Sequence, residues 1–316
     1  MKLKTALLQL LKIIIGFCPM IINCQIAITN ISEIANIKQG TTFFAMKDPA
    51  SPKVAAYVDA IKKNWTLSKV ACIKYTDVEK NIAPNNSFVT ITGNIASSDN
   101  PESVKDTHIY LELWTTNGKF VLNPKKRKHF NQEDKIQIAT IELFTDYATQ
   151  SNPSSLYKID YDANNHIKNW GEGIVGNYVL ALNAYLIKGE VIILKDQISN
   201  KESLKKLTSE TLFVPDYTLT KFNKSDGDES NKNEEKVIFN GYLLPFKVIS
   251  TKDLNTKIIT DNTPFYYLLL INSGNKKYVT ITNSLTGEII YSTVSNGFGN
   301  IKSSDLKDLQ KAIQKK

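Results

Sequence analysis

The sequence predicts an α+β fold (mixed α/β): two tandem β-α-β-α-β-β modules, with mixed sheets and helices packed on one face. Three observations carry that expectation. Short β-branched and aromatic runs alternate with stretches of helical period, the pattern of strands interleaved with helices. The stretch Lys69–Ile91, KVACIKYTDVEKNIAPNNSFVTI, returns in altered form at Lys247–Leu270, KVISTKDLNTKIITDNTPFYYLLL. Finally, 316 residues, 42% hydrophobic and 22% charged, suffice for two domains with cores of their own.

The two copies share a pattern as well as a composition. Each opens a strand with Lys-Val. Each continues with an Asp-[Val/Leu]-x-x-x-Ile helix, at Asp77–Ile82 and Asp253–Ile258. A Phe then opens the next strand (Phe88, Phe265), and a glycine turn follows at Gly118 and Gly287. The expected layout is a leader over residues 1–24, a module over 25–195 with an inserted hairpin and long helix, and a module over 196–316. A mobile loop is expected at 221–236, where Asn, Lys, Asp, Glu and Ser dominate.

Met1–Lys4 is basic, Ala6–Ile15 is apolar apart from Gln9 and Lys12, and Ile13–Ile22 continues the apolar run. That is the shape of an export signal, with Cys24 small enough for cleavage before Gln25. Lys12 and Pro19 interrupt the run, which argues against a spanning helix of about 20 apolar residues. A lipid anchor on Cys24 is the lesser alternative, because Asn23 stands where Gly or Ala is normal. Loss of Cys18 and Cys24 leaves Cys72 alone, so no intramolecular disulfide is expected. The charge of +8 includes three leader lysines, so the remainder carries 8 − 3 = +5, too mild and scattered for nucleic-acid binding. The basic run Lys125–His129 reads as a solvated loop.

In chain order, Gln25–Gly40 reads as an arm or short helix, and Thr41–Met46 as the first strand. Ser51 and Pro52 start a helix over Lys53–Trp65, with Trp65 anchoring it on the sheet. Strand Lys69–Lys74, a short helix capped by Thr76, and strand Ser87–Thr92 follow. His108–Leu122 reads as a hairpin about Asn117-Gly118, and Lys135–Tyr147 as a bulged strand. Leu156–Tyr161 alternates as a strand, and Asn165–Lys188 is the longest helix. Its Gly171-Glu172-Gly173-Ile174-Val175-Gly176 matches G-x-G-x-x-G, but without the strand before it that a dinucleotide site requires; close packing against a strand explains the glycines better. Strands at Val191–Leu194, Glu210–Pro215, Tyr242–Ser250, Phe265–Ile271, Lys277–Thr282 and Glu288–Val294 follow, with helices at Lys201–Leu207, Asp253–Ile259 and Ser304–Gln314. Ser303 or Ser304 is the expected cap of the last helix.

The element succession resembles the TolB amino-terminal and CsgG-like α/β modules of bacterial envelope proteins, and uncharacterised two-module secreted proteins of Gram-negative bacteria. The resemblance covers Thr41–Leu122 and Thr211–Val294, and no functional residue carries over from it. A thioredoxin-like topology competes, but Trp65-Thr66-Leu67-Ser68 lacks the cysteines that disulfide exchange needs.

Chemistry is sparse. His108, His129 and His166 are far apart and match no metal spacing. Cys72 alternates with Val70 on a strand, as a small core residue does. Glu112 and Glu142 are the carboxylates to compare once placed, and Asp226-Gly227-Asp228-Glu229 lacks the spacing of a calcium loop. No catalytic, metal or cofactor-binding residue is assigned, and no cofactor is expected. The expectation is an exported periplasmic or extracellular binding or assembly module with an envelope protein or glycan as partner, and a hydrolase as the alternative. Tyr266, Tyr278 and Tyr291 are candidate surface aromatics, although core packing suits each better.

Overall fold

The structure is a computed structural model that describes residues 25–96, 106–117, 120, 130, 132–151, 161, 166–192, 197–223, 228–230, 232–297 and 299–315. It has an α+β fold with two six-stranded mixed sheets. Strands β1 (Ile26–Ile28), β2 (Thr41–Met46), β3 (Lys69–Lys74), β4 (Ser87–Ala96), β5 (Asp106–Thr116) and β6 (Lys135–Glu142) are arranged β1-β6-β5-β4-β2-β3. Strands β7 (Gln197–Ser199), β8 (Leu212–Pro215), β9 (Phe246–Ile249), β10 (Tyr266–Ser273), β11 (Lys276–Asn283) and β12 (Ile289–Asn296) are arranged β7-β12-β11-β10-β8-β9. Adding six to each label converts the first order into the second. Polarity matches as well: β2 is parallel to β3 and β4, β8 is parallel to β9 and β10, and the other pairs are antiparallel. The two sequence copies therefore occupy the same place, β3 to β4 and β9 to β10.

The described helices are α1 (Ile34–Ile37), α2 (Ala55–Asn64), α3 (Tyr147–Ser151), α4 (Glu172–Lys188), α5 (Lys201–Lys206), α6 (Glu235–Ile238), α7 (Thr251–Thr260) and α8 (Ser303–Gln314). None is long and apolar enough to cross a membrane. One core joins the first sheet (Phe44, Met46, Val89, Ile91, Leu111, Leu113) to α2, α4 and α7, and to Tyr267, Leu269 and Ile271 of β10. A second core packs Tyr266, Leu268 and Leu270 of the same strand under α5, α6 and α8. Strand β10 is thus covered on both faces, which explains why YYLLLI shows no polar alternation.

The modules stack in the same sense. Helices α2 and α6 are equivalent crossovers, and α4 and α8 each follow the last strand of their sheet. In the first module these helices lie between the sheets, and in the second they lie on the far side. The helical face of module one therefore meets the opposite, sheet face of module two. The seam is α4, whose 17 residues include buried ones on every side, as expected of a helix enclosed by others. A Cβ on Gly173 would lie 2.7 Å from Asn255 O and 2.9 Å from Ile258 Cβ. One on Gly176 would lie 3.1 Å from Asn64 Nδ2 and 3.4 Å from Ala60 Cβ. The glycine run lets α7 and α2 approach α4, so the close packing is against helices rather than a strand.

Several expectations change. The first strand is β1, not Thr41–Met46; Ile26–Ile28 pairs with β6. The β4–β5 ladder, Ser87↔Thr115 to Ala96↔Asp106, fills one edge of β5 and β6 fills the other, while residues 118–119 and 121–122 of the hairpin expected about Asn117-Gly118 lie outside the described residues. Asn117 N donates to Asp134 O at 2.9 Å. Strand β6 is bulged as expected, with a register shift opposite Leu113/Trp114. The long helix starts at Glu172 rather than Asn165, because Lys168 N donates to Phe144 O (2.7 Å) and Ile167 bridges Thr145, which spends on neighbours the bonds a helix would need there. The short helix after β3 is a pair of 3-10 turns, Tyr75–Asp77 and Glu79–Asn81, without a cap from Thr76. The last helix is capped by Lys302 and the Asp305 carboxylate, while Ser303 Oγ donates to Asn240 O. The strand expected at 156–160, the run Lys125–His129, and residues 193–194 lie outside the described residues, as do 224–227 within the loop 221–236.

Candidate functional site

A concavity built by both modules opens at their junction, with a volume of ≈ 620 Å³. Its walls are the loop entering α4, the start of α7, the 3-10 turn after β8, and residues Glu229 and Lys232. Each wall is held by a specific bond. Gly171 takes a φ of 137°, and a Cβ there would lie 2.1 Å from Asn255 Nδ2, so only glycine fits. Asn255 staples the two helices: its Oδ1 accepts from Ile174 N at 2.9 Å, and its Nδ2 donates to Trp170 O at 3.2 Å and Thr251 O at 2.8 Å. Asp216 Oδ1 accepts from both Thr251 N and Thr251 Oγ1 at 3.0 Å, while Ser250 Oγ accepts from Asp253 N at 3.0 Å. Across the modules, Lys168 Nζ donates to Glu229 Oε2 at 2.6 Å.

The floor is aromatic and mostly buried. Trp170 lies against Tyr57 with ring centroids 6.4 Å apart and donates its indole N–H to Tyr161 O at 2.6 Å. Tyr217 donates to Leu270 O at 3.0 Å, and burial pushes its phenol far above the ordinary range. Three lysines (168, 232, 252) face three acids (Glu172, Asp216, Glu229), so the lining is close to neutral. Two further grooves exist. One, of ≈ 600 Å³, lies beside β12 and α8, where the buried Lys277 ammonium bonds both Asp305 oxygens at 2.7 and 2.9 Å. The other, of ≈ 420 Å³, lies between α2, α4 and α7.

The residues singled out from sequence do not converge here. Cys72 is half-buried on β3, and desolvation pushes its thiol up to about 11, with Lys62 opposing, so it is a poor nucleophile. Glu112 is buried on the outer face of the first sheet, held by Thr92 Oγ1 (3.1 Å), Lys135 Nζ (3.2 Å) and Gln137 Nε2 (3.1 Å). Glu142 lies at the seam, where Ser273 Oγ donates to its Oε2 at 2.5 Å and His108 Nδ1 is 3.8 Å from the same oxygen. Both groups approach the same carboxylate oxygen, so the serine proton is directed at Glu142 rather than at the imidazole. His166 pairs with Asp146 at 2.6 Å near the surface, and His129 lies outside the described residues. Tyr266, Tyr278 and Tyr291 are not surface aromatics; all three are fully buried, because both faces of the second sheet are covered. Trp65 does anchor α2, edge-on to Phe44 at 5.6 Å. Among the described residues, no group of three or more His, Cys, Asp and Glu could hold a metal ion.

Sequence reading missed Lys168, Asp216, Thr251 and Asn255. Only the local Ser250 cap was available as a signal, since 35 to 85 residues separate the bonded partners. No family model matches the chain, and no curated protein or solved structure matches it significantly.

Proposed function

We propose that the chain is an exported, non-catalytic binding module of the bacterial envelope that holds its partner in the cleft between its two modules. The observation that carries this reading is the cleft itself. Both modules build it, and its polar groups are engaged in holding it open: Asp216 on Thr251, Asn255 across α4 and α7, and Lys168 on Glu229. Groups committed to such bonds present a fixed polar surface, which suits recognition. Export is supported by the basic head and apolar run of Met1–Ile22.

The test is fractionation of cells expressing the tagged full chain, followed by crosslinking and partner capture. A Lys232→Glu/Lys252→Glu variant, altered only at the exposed cleft rim, is expected to reach the same fraction and lose the partner. Undiminished capture by that variant would remove the cleft from the reading. Retention of the wild-type chain in the cytosol would remove export.

A further inference from the structure

We infer that the cleft takes a neutral, polyhydroxylated ligand: a saccharide segment. This rests on the cleft being the binding site and names the chemistry it selects.

The charges argue first. Lysines 168, 232 and 252 and the acids Glu172, Asp216 and Glu229 share one lining. A ligand of either sign gains from one set what it loses to the other. A sugar hydroxyl donates to a carboxylate and accepts from an ammonium, so a polyol uses both sets without needing a charge of its own. The walls argue second. Thr220, Ser250 and Thr251 add hydroxyls between the charged groups, and a hydroxyl can both donate to and accept from a sugar. The size is suitable: ≈ 620 Å³ lies within the roughly 300–1,000 Å³ of small-ligand sites. Preorganisation argues third, because Asn255 and Asp216 already fix both helix starts, and little ordering remains to oppose binding.

The experiment uses the full chain and saturation-transfer NMR with calorimetry. The probes are a panel of neutral trisaccharides, the matching uronic-acid trisaccharides, and a zwitterionic tripeptide. A neutral trisaccharide is expected to bind with an affinity that added salt leaves unchanged, since no net charge is screened. Lys232→Ala/Lys252→Ala should weaken it about tenfold, the loss of one or two hydrogen bonds to charged groups. Glu172→Gln, which leaves the lining net positive, should move preference toward the uronic-acid form. Tighter, salt-sensitive binding of the uronic-acid form by the unmodified chain overturns the inference, as does binding of the tripeptide alone; either leaves the cleft as the binding site. Saturation transfer from a saccharide that both variants leave unchanged places binding elsewhere and overturns both readings. So does the absence of binding by every probe.

Discussion

The two modules share strand order and polarity, yet their equivalent faces have different chemistry. Matching registers place Phe88, Thr90, Glu112 and Trp114 of the first sheet where the second has Tyr267, Leu269, Thr280 and Thr282. In the second module this face is apolar along β10 and seals against α4. In the first it carries a stacked aromatic row, Phe43–Phe88–Trp114–Phe130, and a buried carboxylate with its lysine. The crossovers differ too. Between β9 and β10 a capped ten-residue helix, α7, packs onto the seam; between β3 and β4 there are two 3-10 turns, ending at Asn81, and a turn with Asn85 at φ 70°. One topology has thus been fitted to two situations, an internal junction and an outer face, by side-chain choice on the sheet and by a different crossover between equivalent strands.

The sharpest way to break this comparison is Glu112→Ala. It strands Lys135 in a mostly buried site and should cost about 4 kcal/mol, against about 1 for Thr280→Ala at the matching position. Urea unfolding compares the two directly, and equal costs would mean that the matched positions are not chemically distinct. Next, Leu269→Ala should cost about 3 kcal/mol by opening a cavity at the seam, while Thr90→Ala, losing a hydroxyl bonded to Trp114 Nε1, should cost about 1. Gly173→Ala should cost about 2 kcal/mol, because the colliding atom is backbone. Gly176→Ala meets the end of the Asn64 side chain, and about 1 kcal/mol of helix propensity offsets the squeeze, so its net change should be near zero.

The smallest effects are pH-dependent and chemical. Burial would raise the Asp146 carboxyl, but the bonds from Thr149 and the contact with His166 outweigh it and hold it below the ordinary range. Its contribution is therefore present above the ordinary carboxylate range and fades as pH falls through the folded value. Asp146→Asn should flatten that acid-side loss in denaturant titrations. Cys72, pushed up to about 11, should be alkylated at mildly alkaline pH much more slowly in the folded chain than in urea.

Local chemistry made much of the fold legible. The repeat, the Ser51-Pro52 start of the helical turn before α2, and strands with β-branched residues all report on neighbours within a few positions. What stayed hidden needed distant partners. Nothing in Asn117-Gly118 shows that β4 and β6 occupy both edges of β5. Nothing in the G-x-G-x-x-G run names Asn255 as the group that Gly171 and Gly173 admit. The cleft failed for the same reason, since its walls meet only when the two modules stack. Tyr291 illustrates the converse: core packing suited it better than the surface, and it is indeed covered, by a helix from the chain's last fourteen residues.

Gln25, at the head of β1, sits between the modules. Its amide donates to Tyr178 Oη at 2.8 Å and accepts from Thr280 Oγ1 at 3.1 Å, across a separation of 255 residues. A contact that long cannot form while the chain is still emerging. β1 itself pairs with β6, but its link to the second module needs β11 in place. A single side chain that bonds residues of both modules thus ties the closing of their junction to a long-range contact, a slow kind of step in folding.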